Sequence, residues 1–130
     1  MNVTIYHNPR CSKSRQALEL LRKHGIEPTI VEYLKNPPGK KELKSLLERL
    51  GMSPRDLMRR QEAPYRENGL DDPKLGREQL IAALAEYPIL IERPIVVTDA
   101  AAVVARPPEK LLDILASISE ATGLRLDRIS

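Results

Sequence analysis

The first part of the chain changes from a strand pattern to a helix pattern and back. Residues 2–7 alternate polar and apolar side chains and include β-branched residues, which predicts a strand. Apolar residues at helical spacing predict a helix over residues 12–24, and Gly25 is placed to end it in the left-handed conformation. A second β-branched run predicts a strand over residues 29–34. This order indicates a βαβ unit with parallel strands.

The middle of the chain is predicted to consist of helices and loops. Leucines at helical spacing predict a helix over residues 43–50, and a Ser-Pro-Arg-Asp cap predicts a short helix over residues 57–60. The polar segment 65–76 is typical of a loop. A further helix around residues 80–84 should end before Pro88, because the residue before a proline disfavours the helical conformation.

The last part of the chain returns to strands. Two β-branched runs, residues 95–98 and 102–105, flank a polar turn and predict an antiparallel hairpin. Apolar spacing over residues 111–118 predicts a last helix, with Gly123 near its end. This order of elements predicts an α/β protein with a thioredoxin-like fold and a helical insertion, at about residues 36–88, between the second and third strands.

Length and composition narrow the functional classes. The 130 residues fit a single domain over residues 1–130. The 21 basic and 18 acidic residues are interleaved, and there are four tyrosines but no phenylalanine or tryptophan, so we expect no nucleic-acid partner. The apolar run 100–105 is too short to cross a bilayer and the N-terminus lacks a signal sequence, so we expect no membrane association.

Cys11, the only cysteine in the sequence, is the residue whose local sequence indicates a function most strongly. A lone thiol without an export signal indicates the reducing cytoplasm. Cys11 follows a predicted strand and begins a predicted helix, where unpaired N–H groups and the helix dipole favour a thiolate. Arg10, Lys13, Arg15 and His7 are expected to act in the same direction. The same N–H groups also bind oxyanions, so we expect an activated nucleophile beside its substrate.

Ser14 occupies the position at which a dithiol oxidoreductase places its second cysteine. An enzyme without that resolving thiol must take one from another molecule, usually glutathione or a partner protein. Two interpretations of Ser14 stay open from the residues alone. Its hydroxyl donates to the thiolate or to the oxyanion, or it is an ordinary serine of the first helical turn.

Several segments together resemble the ArsC arsenate reductase family, nearly throughout the chain and up to about Leu115. The likeness is carried by Ile5-Tyr6-His7-Asn8-Pro9-Arg10-Cys11, Ser14-Arg15, Glu27-Pro28-Thr29-Ile30, Tyr33-Leu34, Asn36-Pro37-Pro38, Pro64-Tyr65, the run from Pro88 to Thr98, and Arg106-Pro107. These segments lie on separate predicted elements and in the family's order, so chance similarity is excluded as an explanation.

The resemblance implies roles for individual residues. It implies a catalytic role for Cys11, oxyanion binding by Arg59, Arg93 and Arg106, support of the thiolate by His7 and Ser14, and a cis peptide bond before Pro94. Guanidinium groups suit the oxyanion role, because their planar forks match tetrahedral oxyanions and keep their charge. Without the resemblance, Arg59 could not be chosen over Arg60.

The resemblance also implies the reaction, which is reduction of arsenate to arsenite for arsenic detoxification, with glutathione as co-substrate and glutaredoxin as partner. It implies no tightly bound cofactor and no metal. One departure is Ser12-Lys13, where the arsenate-reducing members have Gly-Thr. Two alternatives follow: a related thiol oxidoreductase with another substrate, and a Spx-like regulator that binds RNA polymerase. The second lacks its usual Cys-x-x-Cys switch, because Ser14 replaces the second cysteine.

Overall fold

A computed structural model describes residues 2–122, with side chains through residue 116. The strands are β1 (Thr4–His7), β2 (Thr29–Glu32), β3 (Ile95–Val97) and β4 (Ala102–Val104). The helices are α1 (Ser12–Lys23), α2 (Lys40–Leu50), α3 (Ala63–Glu67), α4 (Arg77–Glu86) and α5 (Leu111–Thr122). Among the described residues, every helix is too short or too polar to cross a membrane.

The four strands form one mixed sheet in the order β2-β1-β3-β4. β1 pairs in parallel with β2, with Ile5 opposite Ile30, and antiparallel with β3, with Ile5 opposite Val96. β3 and β4 form the predicted antiparallel hairpin. The predicted α/β, thioredoxin-like arrangement is therefore confirmed, with the helical segment between β2 and β3.

The described chain divides into two compact units, one of residues 2–32 and 93–122 and the other of residues 33–92. The second unit corresponds to the insertion predicted at about residues 36–88, and the single-domain organisation stays a prediction. The first unit holds the sheet and a core in which α1 and α5 contribute apolar side chains. The core members without any exposed surface are Ile5, Ala17, Leu21, Val96, Ala105 and Leu111.

Two glycines end helices as expected. Gly25 follows α1 with a φ of 77°, and Gly51 follows α2 with a φ of 65°. Both angles lie in the left-handed region that glycine adopts without steric penalty. The predicted position of Gly123 near the end of the last helix lies outside the described residues.

Two predictions in the second unit were wrong. The predicted helix over residues 57–60 is absent: a short 3₁₀ helix covers Arg55–Leu57, and Met58 is extended and forms a bridge with Ile91. Tertiary pairing decides the conformation here, because the bridge partner is distant in sequence. The predicted loop over residues 65–76 was also wrong in part, since α3 extends into it from a proline near its first position.

Candidate active site

Cys11 lies at the turn that joins β1 to α1 and is the N-cap residue of the helix, with extended backbone angles of −92° and 122°. Its N–H donates to the carbonyl of Asn8 at 3.0 Å, and its carbonyl accepts from the N–H of Arg15 at 3.0 Å. The thiol is half-buried. The N–H groups of Lys13 and Ser14, at the open end of the helix, stabilise its thiolate form.

Two arginines that are distant in sequence also reach the sulfur. Arg93 precedes β3 and Arg106 follows β4, so the hairpin brings both to the end of the sheet where β1 leads into Cys11. The Arg93 guanidinium donates a hydrogen bond to the sulfur. Nη1 of Arg106 lies 3.9 Å from Sγ and 3.4 Å from the carbonyl oxygen of Arg93. The structure therefore gathers two of the three predicted oxyanion-binding arginines around the thiol.

These contacts lower the pKa of the Cys11 thiol. Burial alone would raise the pKa, but it is outweighed by the Ser14 N–H, the Arg93 guanidinium and the Lys13 N–H, and by the charge of Arg93. Each of these groups stabilises the thiolate over the thiol. The lowered pKa agrees with the expected activation of the nucleophile.

His7 and Ser14 form a buried pair beneath this turn. Nδ1 of His7 and Oγ of Ser14 are 2.6 Å apart, and the same oxygen accepts the N–H of Asn8 at 3.0 Å. Ser14 has no exposed surface and His7 is 6 % exposed. The Ser14 hydroxyl thus bonds to His7 and Asn8, while its backbone N–H bonds to the sulfur.

Burial also changes the titration of His7. Burial lowers its pKa, with smaller contributions from the charges of Arg22 and Arg15, against the opposing charge of Glu32. A histidine whose pKa is lowered is mostly neutral at pH 7. The contact with Ser14 links His7 to the turn that carries Cys11, and its support of the thiolate stays a prediction.

Two further predicted residues support the turn and the hairpin. Nη1 of Arg15 donates to the carbonyl of Pro9 at 2.8 Å, which ties the helix to the segment before Cys11. The peptide bond between Arg93 and Pro94 is cis, as the resemblance implied. The Pro94 carbonyl accepts the N–H of Ala105 at 2.9 Å.

Arg59 belongs to the second unit and is held there by groups that the sequence analysis did not identify. Its side chain is 17 % exposed; its Nε lies 3.5 Å from Oε1 of Glu62, and its Nη1 lies 3.8 Å from Oε2 of Glu92. The proximity of Glu62 in sequence was a usable signal, since a turn joins the two residues and the N–H of Glu62 donates to the carbonyl of Arg59 at 3.2 Å. The sequence contained no comparable signal for Glu92, because the pairing of Met58 with Ile91 brings it close to Arg59. The role of Arg59 in oxyanion binding stays a prediction.

Within residues 2–122, the structure contains no group of three or more histidine, cysteine, aspartate or glutamate side chains that could hold a metal ion. The site consists of a thiol, backbone donors and guanidinium groups. Such a site combines a nucleophile with electrostatic stabilisation of a negatively charged substrate.

Comparisons with known proteins agree with this geometry. The sequence model of the ArsC family matches residues 6–114. A protein of Rhizobium meliloti named arsenate reductase is 49 % identical over 88 % of this chain and 82 % of its own length. The uncharacterised protein YfgD of Escherichia coli is 51 % identical over 87 % of this chain and 96 % of its own length.

A solved structure extends the likeness to the fold. The structure titled arsenate reductase from Vibrio cholerae has a TM-score of 0.85 and 50 % identity, and the match covers 88 % of this chain and 98 % of that one. Similarity at this level spans both the sheet and the helical segment. The chain belongs to the ArsC family.

Proposed function

We propose that this protein reduces arsenate to arsenite at Cys11, with glutathione and glutaredoxin as reductants and without a tightly bound cofactor. The proposal depends on the surroundings of the Cys11 sulfur. Backbone N–H groups and the guanidinium groups of Arg93 and Arg106 surround one thiol whose pKa is lowered. Relatives in the same family that share about half of the sequence bear the name arsenate reductase. A cytoplasmic location follows from the need for a free thiol.

The proposed reaction proceeds in balanced steps at one sulfur. The Cys11 thiolate attacks arsenic and displaces one arsenate oxygen, which leaves as water after taking up protons. The glutathione thiolate then displaces a second oxygen, and a glutaredoxin thiolate attacks the glutathione sulfur. The electron pair of the arsenic–sulfur bond passes to arsenic, which is reduced from the +5 to the +3 state, while a mixed disulfide forms. Water finally displaces Cys11 and releases arsenite.

Each group around the sulfur has a part in these steps. Arsenate is an anion at neutral pH, so a thiolate approaches it against like-charge repulsion. Arg93 and Arg106 reduce that repulsion and stabilise the charge that develops on the oxygens. The N–H groups of Lys13 and Ser14 keep the sulfur ionised both as nucleophile and as leaving group.

A coupled assay with arsenate, glutathione, glutaredoxin and NADPH-dependent regeneration tests the proposal. Wild-type protein should oxidise NADPH in an arsenate-dependent manner, and Cys11→Ser should lower turnover to the rate without enzyme. Lys23→Gln, an exposed change at the far end of α1, is the control and should keep wild-type turnover. Substantial arsenate-dependent turnover by Cys11→Ser would contradict the proposal.

A thiol oxidoreductase with another substrate is the second candidate. One observation favours it: Ser12 and Lys13 stand where the family resemblance leads us to expect Gly-Thr in the arsenate-reducing members. The same assay separates the candidates. Oxidation of NADPH with glutathione-linked disulfides but not with arsenate would favour the second candidate.

A further inference from the structure

Two cations beside the nucleophile have no function in the site described above. The side chain of Arg10 is exposed and that of Lys13 is half-exposed. Within the described part of the chain, neither side chain forms an ion pair or a hydrogen bond. By contrast, Arg15 donates to a backbone carbonyl, and Arg93 and Arg106 contact the sulfur.

The sequence segment that contains these two residues carries no acidic side chain. The segment 8–18 has no acidic residue, and the first turn of α1 has none either. Lys13 lies close to the thiol, because its backbone N–H donates to the sulfur, and Arg10 precedes Cys11 directly. Two cationic side chains without internal partners thus belong to residues within two positions of the nucleophile.

We propose that Arg10 and Lys13 form a docking surface for the carboxylate groups of glutathione as its sulfur approaches Cys11. The inference rests on the proposed function only in taking glutathione as the reductant. Glutathione has two carboxylates and one ammonium group, so it carries a net negative charge at neutral pH. When Arg93 and Arg106 hold the oxyanion, the carboxylates of the reductant require other cations, and Arg10 and Lys13 are cations beside Cys11 in sequence whose side chains have no internal partner.

Thiol–disulfide exchange tests the surface without arsenate. The Cys11 thiolate attacks one sulfur of glutathione disulfide, forms a mixed disulfide and releases a glutathione thiolate. The measurement is the ratio of this rate to the rate with bis(2-hydroxyethyl) disulfide, which is uncharged. Because both rates depend equally on the ionised fraction of Cys11, their ratio is insensitive to any change in the pKa of the thiol.

The double variant Arg10→Gln, Lys13→Gln should lower this ratio about three- to tenfold at low ionic strength, as expected for the loss of two exposed charge pairs. Added salt should lower the wild-type ratio toward that of the variant. Two other changes serve as a control for net charge: Arg49→Gln, Lys23→Gln removes two charges elsewhere and should leave the ratio close to that of wild type.

Three results would overturn the proposal: an unchanged ratio in the Arg10, Lys13 variant, an equal fall in the control variant, or a loss confined to turnover with glutaredoxin. The last would assign the surface to a protein partner instead. Failure of the proposed arsenate reaction is recognised separately, because the exchange reaction requires only the thiolate. Exchange with the expected ratio, together with an absence of arsenate turnover, would support the docking surface and contradict the proposed arsenate reaction.

Discussion

At the scale of single residues, the pKa of the Cys11 thiol is set by two opposing effects. Burial raises the pKa of the thiol, and hydrogen bonds from Ser14, Arg93 and Lys13 together outweigh that effect. Two of these three donors are backbone N–H groups. Their direction depends on the first turn of α1, which the bonds of the Ser14 hydroxyl to His7 and Asn8 help to fix.

Replacing Ser14 with alanine should therefore raise the pKa of Cys11, although the N–H of residue 14 is retained. The pKa rises because the turn that aims the donors loses its buried hydrogen bonds. The measurement is the pH dependence of iodoacetamide alkylation. The wild-type profile should titrate below that of free cysteine, because a lowered pKa keeps the thiolate populated as pH falls, and the variant profile should lie at higher pH.

Ser12→Ala is the matched control, because Ser12 is exposed and lies in the same helical turn. Its profile should coincide with that of wild type. A Ser14→Ala profile that coincides with wild type would show that the backbone donors keep their aim without the hydroxyl.

At the scale of elements, the end of α1 depends on one backbone conformation. Gly25 has a φ of 77°, its N–H donates to the carbonyl of Arg22 at 3.0 Å, and a Cβ there would meet no atom within 4 Å. The penalty for a side chain at this position is thus conformational and not a clash. Because α1 carries Cys11 at its other end, the stability of this helix bears on the site.

Gly25→Ala should lower the free energy of unfolding by about 1 kcal/mol, since an L-residue pays that amount for the left-handed conformation. Gly25→Asn should lower it less, because asparagine tolerates this conformation better. Urea unfolding followed by circular dichroism measures both. Equal stability of the alanine variant and wild type would contradict this account, as would an asparagine variant less stable than the alanine variant.

At the scale of the whole molecule, the arginines that are predicted to bind the oxyanion are divided between the two units. All groups that lower the pKa of Cys11 belong to the unit that contains the sheet, namely Lys13, Ser14 and Arg93. Arg59 belongs to the other unit, where Glu62 and Glu92 hold its guanidinium. Substrate binding and thiol activation should therefore be separable by mutation.

Arg59→Ala should raise the KM for arsenate about tenfold and leave the pKa of Cys11 unchanged, because the arginine is assigned to the oxyanion and not to the thiol. Arg93→Ala should change both quantities. Steady-state kinetics and the alkylation profile provide the two measurements. Arg60→Ala is the control, since Arg60 is exposed and adjacent in sequence, and it should behave as wild type. A shifted thiol pKa in Arg59→Ala, or an unchanged KM, would contradict the assignment.

The sequence by itself determined the order of the four strands and of α1, α2, α4 and α5, the ends of α1 and α2 at Gly25 and Gly51, and the position of Cys11 at a helix start, because periodicity and glycine conformation are local properties. Tertiary structure decided the rest. Met58 became extended through its pairing with Ile91, and Arg106 reached the sulfur through a sheet pairing across most of the chain. The pKa of His7 is lowered because the residue is buried in the folded protein, and no local pattern specifies that burial.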